Sequence, residues 1–469
     1  MNMNTLQQPI PTFGAITLPV LVGQVNAGLV DTVLVCFPDM QGRLVGKRLH
    51  AQFFIEQGHK GIAACHYLLD LDVAMAAIPS NNPDGSDNGW GDFGLKPDFT
   101  TLRVLSWMPR TALVICDLVH LSGLEQGLPV RHSPREMLKS QLLRLQSRGL
   151  RAFCATELEF YVFAGDYAHW HAGNHRDLRT HSHLNGDYQI FQTQKDEPLM
   201  QQVRTQLARS GVEIEGSMGE CSPGQQELNL RYTDALTLAD AHVLSKMALK
   251  DMAQSMNQSV SFLAKWHPEL AGSSAHIHLS LWDESGVTPQ FLDSKATHGM
   301  SSLMRHFVAG LVAHGAETTM MFCPYVNSYK RFMTGSFAPT AMVWSVDNRS
   351  AALRVCSPQS QAIRIEQRIG GADLNPYVAI AAMLCAGLSG LAQGLDLPLP
   401  VQGSAYREDL PQIPKKLSEA IAVAEKSELL REAFGVDVLD HCLRAARWEL
   451  SEFERAITDW DIQRGFERC

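Results

Sequence analysis

Residues Thr156 to Phe160 read TELEF, which sets two carboxylates, Glu157 and Glu159, two positions apart among apolar neighbours. Side chains alternate along an extended strand, so the two acids share one face while Leu158 and Phe160 take the other. Paired polar residues recur downstream. GECSPGQQELNL places Glu220 and Glu227 on either side of a Pro-Gly turn, with Glu227 opening a strand. GSSAHIHLSL puts His276, His278 and Ser280 on one strand face, and RIEQR puts Glu366 between Arg364 and Arg368 on one face of an extended segment. Taken singly, a strand Glu is usually solvated and an H-x-H pair is usually structural. Five carboxylates and an imidazole on separate strands argue for one shared site, because so much negative charge in one place requires divalent cations. Oxygen-rich donor sets with little imidazole suit magnesium or manganese rather than zinc.

Arginines supply the complement. VNSYKRFMTGSFAP places Arg331 beside a Gly turn, and DNRSAALRV carries Arg349 and Arg354. A guanidinium fork matches carboxylate or phosphate, so this set can hold an anionic substrate and a nucleotide phosphate chain. The chain has no Walker-type loop and no G-x-G-x-x-G at a strand–helix junction, so any nucleotide site is of neither familiar kind.

These residues need strands to hold them. Phe153 to Phe163, Glu227 to Arg231, His276 to Leu281 and Ala351 to Val355 read as strands. They alternate with helical patterns over Asp234 to Met256 and Pro414 to Phe434, as expected of a large mixed α/β domain. Upstream, DTVLVCF (Asp31 to Phe37) and TALVICDLV (Thr111 to Val119) are β-branched runs, and the interval 80 to 98 is dense in turn residues. The first 120 or so residues therefore read as a small sheet-rich domain ending near Ser122 to Pro129. Next, Ser133 reads as a helix cap, with Pro134 at the first position, Glu136 completing a capping box and Met137, Leu138, Leu142 and Leu145 as the apolar face. Tyr167 to His183, with five histidines, reads as a solvated loop.

The 469 residues exceed one small core and suggest two domains. A composition of 45% hydrophobic and 19% charged residues is that of an ordinary folded protein, and a net charge of −9 disfavours nucleic acid or an anionic membrane surface as partner. The N-terminal residues lack a basic region followed by an apolar core, so a cytoplasmic location is expected. Ten scattered cysteines without a C-x-x-C pair fit reduced thiols. The most apolar run, Val378 to Leu391, is shorter than the roughly 20 residues that span a bilayer and reads as a buried helix.

The strings GDFGLKPDFTTLRVLSW, SPREML, ELEF, GECSPGQQE, KWHP with GSSAHIHLSL, NSYKR with FAP, DNRSAALR, and RIEQR with NPY occur in this order and resemble the glutamine synthetase superfamily from about Asp31 to Trp460. The resemblance implies an α+β fold, with a small N-terminal β-grasp domain (1–124) and a large catalytic domain (125–469) whose curved antiparallel sheet carries flanking helices. It also implies stacked rings of subunits forming a dodecamer, with glutamate, ATP and a small amine as the molecules bound. Two or three Mg2+ or Mn2+ ions per site are expected, with ATP as co-substrate. By motif, Glu159, Glu220 and Glu227 resemble ligands of one metal, and Glu157, His276 and Glu366 those of another. Arg331, Arg368 and the backbone at Gly272 resemble a glutamate clamp. Arg349, Arg354 and Arg364 resemble phosphate-binding arginines, and Glu215, His278 and Ser280 nucleotide contacts. Arg349, Glu159 and Arg331 are the residues expected at the reacting groups.

One departure bears on the substrate. Ammonia-using members carry a Glu in a G-x-E-A-P turn after NSYKR, where this chain reads GSFAP with Phe337, and the Asp of their N-terminal Asp-Gly-Ser-Ser loop has no counterpart around AACHYLLDLD. Ammonium needs acceptor carboxylates, whereas an aromatic ring suits an alkyl chain and offers cation–π attraction. The pattern resembles the γ-glutamylpolyamine synthetase branch and implies a ligase joining glutamate to a polyamine such as putrescine. Glutamine synthetase proper and a non-catalytic relative are the alternatives. Tyr406, in SAYREDLP, lies near where bacterial glutamine synthetases carry a modified Tyr, but its context differs and no modification is predicted.

Overall fold

A computed structural model describes residues 14–79 and 91–469; the first part of the turn-rich 80 to 98 interval falls outside it. Two sheets organise the chain. The first contains β1 (Gly14–Ala15), β2 (Thr32–Pro38), β3 (Leu44–His50), β4 (Ile62–Cys65), β5 (Asp92–Pro97), β6 (Arg103–Val104) and β7 (Thr111–His120), in the order β1-β6-β7-β2-β3, with β5 bridging β4 to β7. The turn-rich interval thus ends in a strand, because the alternating Phe93 and Leu95 bury under the sheet. β2 and β7 pair in parallel. Their continuous apolar runs follow from burial on both faces. Val33, Val35 and Phe37 of β2 face one core with Val114 and Cys116 of β7, while Leu34, Cys36, Leu113 and Ile115 join the main core.

The second sheet contains β8 (Leu150–Ala164), β9 (Ile214–Gly219), β10 (Gln225–Asp234), β11 (Gln258–Ser261), β12 (Ala275–Asp283), β13 (Trp344–Val346), β14 (Leu353–Cys356) and β15 (Arg364–Gln367). Its order is β13-β14-β15-β12-β8-β10-β9, with β11 also on β8. Every pairing is antiparallel except β13 with β14. One face supplies Leu158, Phe160, Leu228, Ile277 and Ile365 to a core completed by helices Ala235–Ser255 and Pro376–Gln393. The second of these helices is long and apolar enough to cross a membrane by composition, but most of its side chains are buried within the fold. The other face of the sheet is left for polar residues.

The two sheets are tied by charge as well as packing. Arg135, on helix Pro134–Gln146, is 1% exposed and reaches Asp98 at 2.7 Å, Asp117 at 2.5 Å and Asp240 at 3.1 Å. Asp98 comes from the turn after β5, Asp117 from β7 and Asp240 from the long helix. Such a buried cation is tolerable only because three carboxylates surround it.

Three local expectations fail. Ser133 begins its helix, but its hydroxyl makes no capping bond, so the capping box with Glu136 does not form. The pattern over Pro414 to Phe434 is two helices, Leu417–Ala424 and Glu428–Phe434. Ser427 starts the second by accepting from the Leu430 N–H while donating to Glu317 of another helix. The histidine-rich segment folds into helix Tyr167–Ala172, and His181 is not free in solvent but bonds the buried Asp196 at 2.6 Å. All ten cysteines are free thiols, seven of them buried.

Candidate active site

Strand register alone brings the predicted acids together. On β8, Glu159 stands opposite Glu227 of β10, and Glu157 stands opposite His276 of β12 and Asn229 of β10. Further along, His278 of β12 faces Glu366 of β15, which in turn faces Arg354 of β14. Glu220 enters from the turn between β9 and β10, where its N–H donates to the Gln225 carbonyl. The polar face of the sheet thereby carries one continuous patch from β10 to β14.

Among the described residues, three groups have ligand atoms within 4.8 Å of one another: Glu159, Glu220 and Glu227; Glu157, Glu227 and His276; and Glu157, His278 and Glu366. His276 Nδ1 is 3.2 Å from Glu157, 3.6 Å from Glu366 and 4.0 Å from Glu159. His278 Nε2 lies 2.9 Å from Glu157, and Arg364 Nε donates to His278 Nδ1 at 3.1 Å. A guanidinium can only donate, so that contact favours a ring proton on Nε2 facing Glu157, while against burial hydrogen bonds with Cys356 and Glu157 push the ring's pKa up to about 10. His278 therefore belongs with the carboxylates as much as with a nucleotide.

The electrostatics separate the acids into two kinds. Burial, reinforced by like charges, pushes Glu220, Glu159 and Glu227 up to about 7, 8 and 9. For Glu159 the main charged neighbour is Glu220, and for Glu227 it is Glu157. Burial opposes the charge on Glu157 too, but hydrogen bonds from His276 and His278 hold it below the usual carboxylate range. Glu366, fully enclosed, is brought down to about 2 against burial by Arg368 at 2.5 Å, helped by the two histidines. His276 is driven down to about 4 by burial and Arg368, which keeps its imidazole neutral. Three acids that resist ionising together, beside a neutral imidazole, form a donor set that fits divalent cations of the oxygen-preferring kind.

Two hollows, with Glu157 in the lining of both, flank this floor. One, of about 220 Å³, is lined by Glu157, Glu159, Glu220 and Glu227 below and by Arg349, Arg354, Arg368, Gly272 and Phe337 around it. The other, of about 550 Å³, is lined by Glu157, Glu215, His278, Ser280 and Arg364 together with Phe153, Tyr232 and Trp282. Of the residues expected from motif at the nucleotide, Glu215, His278, Ser280 and Arg364 line the larger hollow, whereas Arg349 and Arg354 line the smaller one. Arg331 behaves differently: it is 1% exposed and donates to the backbone oxygens of Ile369 and Arg368 and to Ser274 Oγ. Its stem fills the space a side chain at residue 272 would need, so Gly272 lets it pass. Arg331 therefore sits behind the wall of the smaller hollow, whereas Arg368 is on it.

Phe337 is 59% exposed, so it is not a packed flap residue; its carbonyl accepts from Arg368 at 3.3 Å. Tyr406 is half-buried with its hydroxyl oxygen enclosed. Several residues of the site carried no motif-level signal: Gln225 donates to the Gly272 carbonyl at 3.0 Å, and Asn229 donates to Glu227 at 2.8 Å. Asn229 lies two residues beyond Glu227, on the same strand face, which was the available clue. Asp187, Tyr188, Met218 and Cys221 also line the smaller hollow.

Comparison with known proteins identifies relatives of this chain. Residues 131–465 match the family described as glutamine synthetase, catalytic domain. The chain is 42% identical over 459 residues to γ-glutamylethanolamide synthetase GlnA4 of Streptomyces coelicolor, covering 98% of this chain and 96% of that protein. It is 31% identical over 440 residues to glutamate–isopropylamine ligase of a Pseudomonas species, covering 93% and 95%. Among solved structures, apo GmaS superposes with a TM-score of 0.81 at 23% identity, covering 95% of this chain and 99% of that one, a likeness of fold.

Proposed function

The chain belongs to the glutamine synthetase family, and from that premise we propose that it is an ATP-dependent ligase joining the γ-carboxylate of glutamate to a small primary amine. The observation that carries this reading is the smaller hollow: a complete carboxylate floor under a mouth where an exposed Phe337 stands in place of an acid. The names of the two relatives support an amine over ammonia, and they favour short monoamines over the polyamine expected from sequence.

In the proposed mechanism, ATP occupies the larger hollow, with its base and ribose near Phe153, Glu215, Tyr232, Ser280 and Trp282. Glutamate occupies the smaller one, with its carboxylates toward Arg368 and the Gly272 backbone. Glu159, Glu220 and Glu227 would hold one divalent ion, and Glu157 and Glu366, with His276 at 3.2 and 3.6 Å from them, another, supplying positive charge for the triphosphate and the reacting carboxylate. Arg354, already paired with Glu366 at 3.0 Å, and the exposed Arg349 neutralise charge as the γ-phosphoryl moves to the glutamate oxygen. Arg331 keeps the wall at Gly272 and Ser274 in place, a positioning role. The amine then displaces phosphate from the γ-glutamyl phosphate, while Phe337 shields the carbon from water and packs on the alkyl chain. Stacked rings of subunits remain part of the proposal, and mass measurement in solution tests them.

The deciding experiment measures phosphate release from ATP with glutamate and Mg2+, comparing ammonia with ethanolamine, isopropylamine, methylamine, putrescine, cadaverine and spermidine, with product masses checked. Turnover with one or more amines and little with ammonia is expected. Turnover chiefly with ammonia would make the enzyme a glutamine synthetase and remove the role given to Phe337.

A further inference from the structure

A primary amine reaches an enzyme as an ammonium ion, since aliphatic amines hold their proton to a pH of about 10. It must be held and deprotonated before it attacks. Glu159, Glu220 and Glu227 form a metal-type group, and Phe337 removes the carboxylate expected at the mouth. Among the described residues, one acid lining the same hollow lies outside all three metal-type groups: Asp187.

Its loop is built to present it. The Asn185 side chain accepts from the Asp187 N–H at 2.9 Å, which closes the turn without using the Asp187 carboxylate. The Tyr188 N–H donates to the Gly219 carbonyl at 3.2 Å and the Gln189 N–H to that of Gly186 at 2.8 Å, so the loop is stitched to the end of β9 beside Glu220. Among the described residues, no Lys, Arg or His lies within 4.0 Å of the Asp187 carboxylate. The flanking Tyr188 is 67% exposed at φ 52°, and Phe337, which lines the same hollow, has φ 58°. Left-handed backbone is unfavourable for bulky aromatics and is retained where surroundings enforce it, commonly at ligand sites. Two aromatic residues held against their backbone preference thus line the same hollow as a carboxylate with no ion pair within 4.0 Å. The charged groups sharing this hollow with Asp187 are Glu157, Glu159, Glu220, Glu227, Arg349, Arg354 and Arg368.

We propose that Asp187 receives the incoming ammonium group between the Tyr188 and Phe337 rings and takes its proton. The inference rests on the ligase reading. One proton passes from the ammonium to the Asp187 carboxylate, and the freed nitrogen lone pair attacks the γ-carbonyl carbon of glutamyl phosphate. The C–N bond forms as the C–O bond to phosphorus breaks, phosphate leaves with that electron pair, and the second proton of the nitrogen goes to the departing phosphate. Asp187 then returns its proton to water.

The test compares Asp187→Asn and Asp187→Glu with the wild type, using the best alkylamine and, separately, hydroxylamine, which is already uncharged at neutral pH. Asp187→Asn is expected to lower kcat/KM for the alkylamine about a hundredfold at pH 7. The deficit should shrink as pH rises toward the amine's own pKa, and Asp187→Glu should recover part of it. Hydroxylamine turnover and the KM for glutamate and ATP should stay near wild type. Equal losses with both nucleophiles, or no loss with the alkylamine, would overturn the role of Asp187. A wild type that turns over only ammonia and hydroxylamine would overturn the ligase reading itself, which the wild type alone reveals.

Discussion

The floor and the mouth of the active site are built by opposite means. The floor is written in strand register: Glu157 and Glu159 on β8, Glu227 on β10, His276 on β12 and Glu366 on β15 meet because paired strands fix lateral neighbours, and a one-residue slip would send them into the core. The mouth is made of loops, in which Asp187, Tyr188 and Phe337 are brought together from segments about 150 residues apart at backbone angles that neither ring favours. On the proposed reading, rigid strands hold the phosphoryl-transfer chemistry and loops select the nucleophile.

The sharpest way to break this contrast is to remove a floor acid. Glu159→Gln should lower ATP-dependent phosphate release about a thousandfold with every nucleophile alike, hydroxylamine included. A loss confined to amines would mean that floor and mouth are not separable. Glu159→Gln should keep the folded circular dichroism spectrum, because it also relieves a buried carboxylate crowded by Glu220.

Changing the mouth should give a smaller and selective effect. Phe337→Glu is expected to lower kcat/KM for a branched amine about tenfold while raising use of ammonia, leaving the KM for ATP unchanged. Unchanged amine selectivity would count against Phe337 as the wall.

The smallest effect is thermodynamic. Glu220, Glu159 and Glu227 have folded-state values raised to about 7, 8 and 9, above the unfolded carboxylate range. The folded apoprotein therefore binds more protons than the unfolded chain between about pH 5 and pH 9, and its stability falls as pH rises through that window. Melting temperature measured with chelator should drop across it, and saturating Mg2+ should flatten the slope, since metal binding displaces those protons. A metal-free protein whose melting temperature is level from pH 5 to 9 would show that the three acids are not protonated as proposed.

Much of the floor was readable without a structure, because alternation in a strand decides face and each of TELEF, QQELNL, AHIHLSL and RIEQR carries its own period of two. The apolar runs of β2 and β7 were readable as strands, though not that they pair in parallel with a core on either side. Other features depended on distant partners. The break in Pro414 to Phe434 follows from Ser427 meeting Glu317, and His181 left its solvated loop for the buried Asp196. Arg331 looked like a substrate ligand by motif yet spends its hydrogen bonds on the Ile369 and Arg368 carbonyls and the Ser274 hydroxyl behind Gly272.

By itself, then, the sequence determined which residue types share a strand face and hence that oxygen ligands collect over the sheet, because that depends on local geometry of period two. Tertiary structure alone decided that Asp187 stands at the mouth with Tyr188 and Phe337, that Arg331 lies behind the wall rather than on it, and that His278 joins the carboxylates. Those placements rest on contacts between residues far apart in the chain, whose geometry no local pattern encodes.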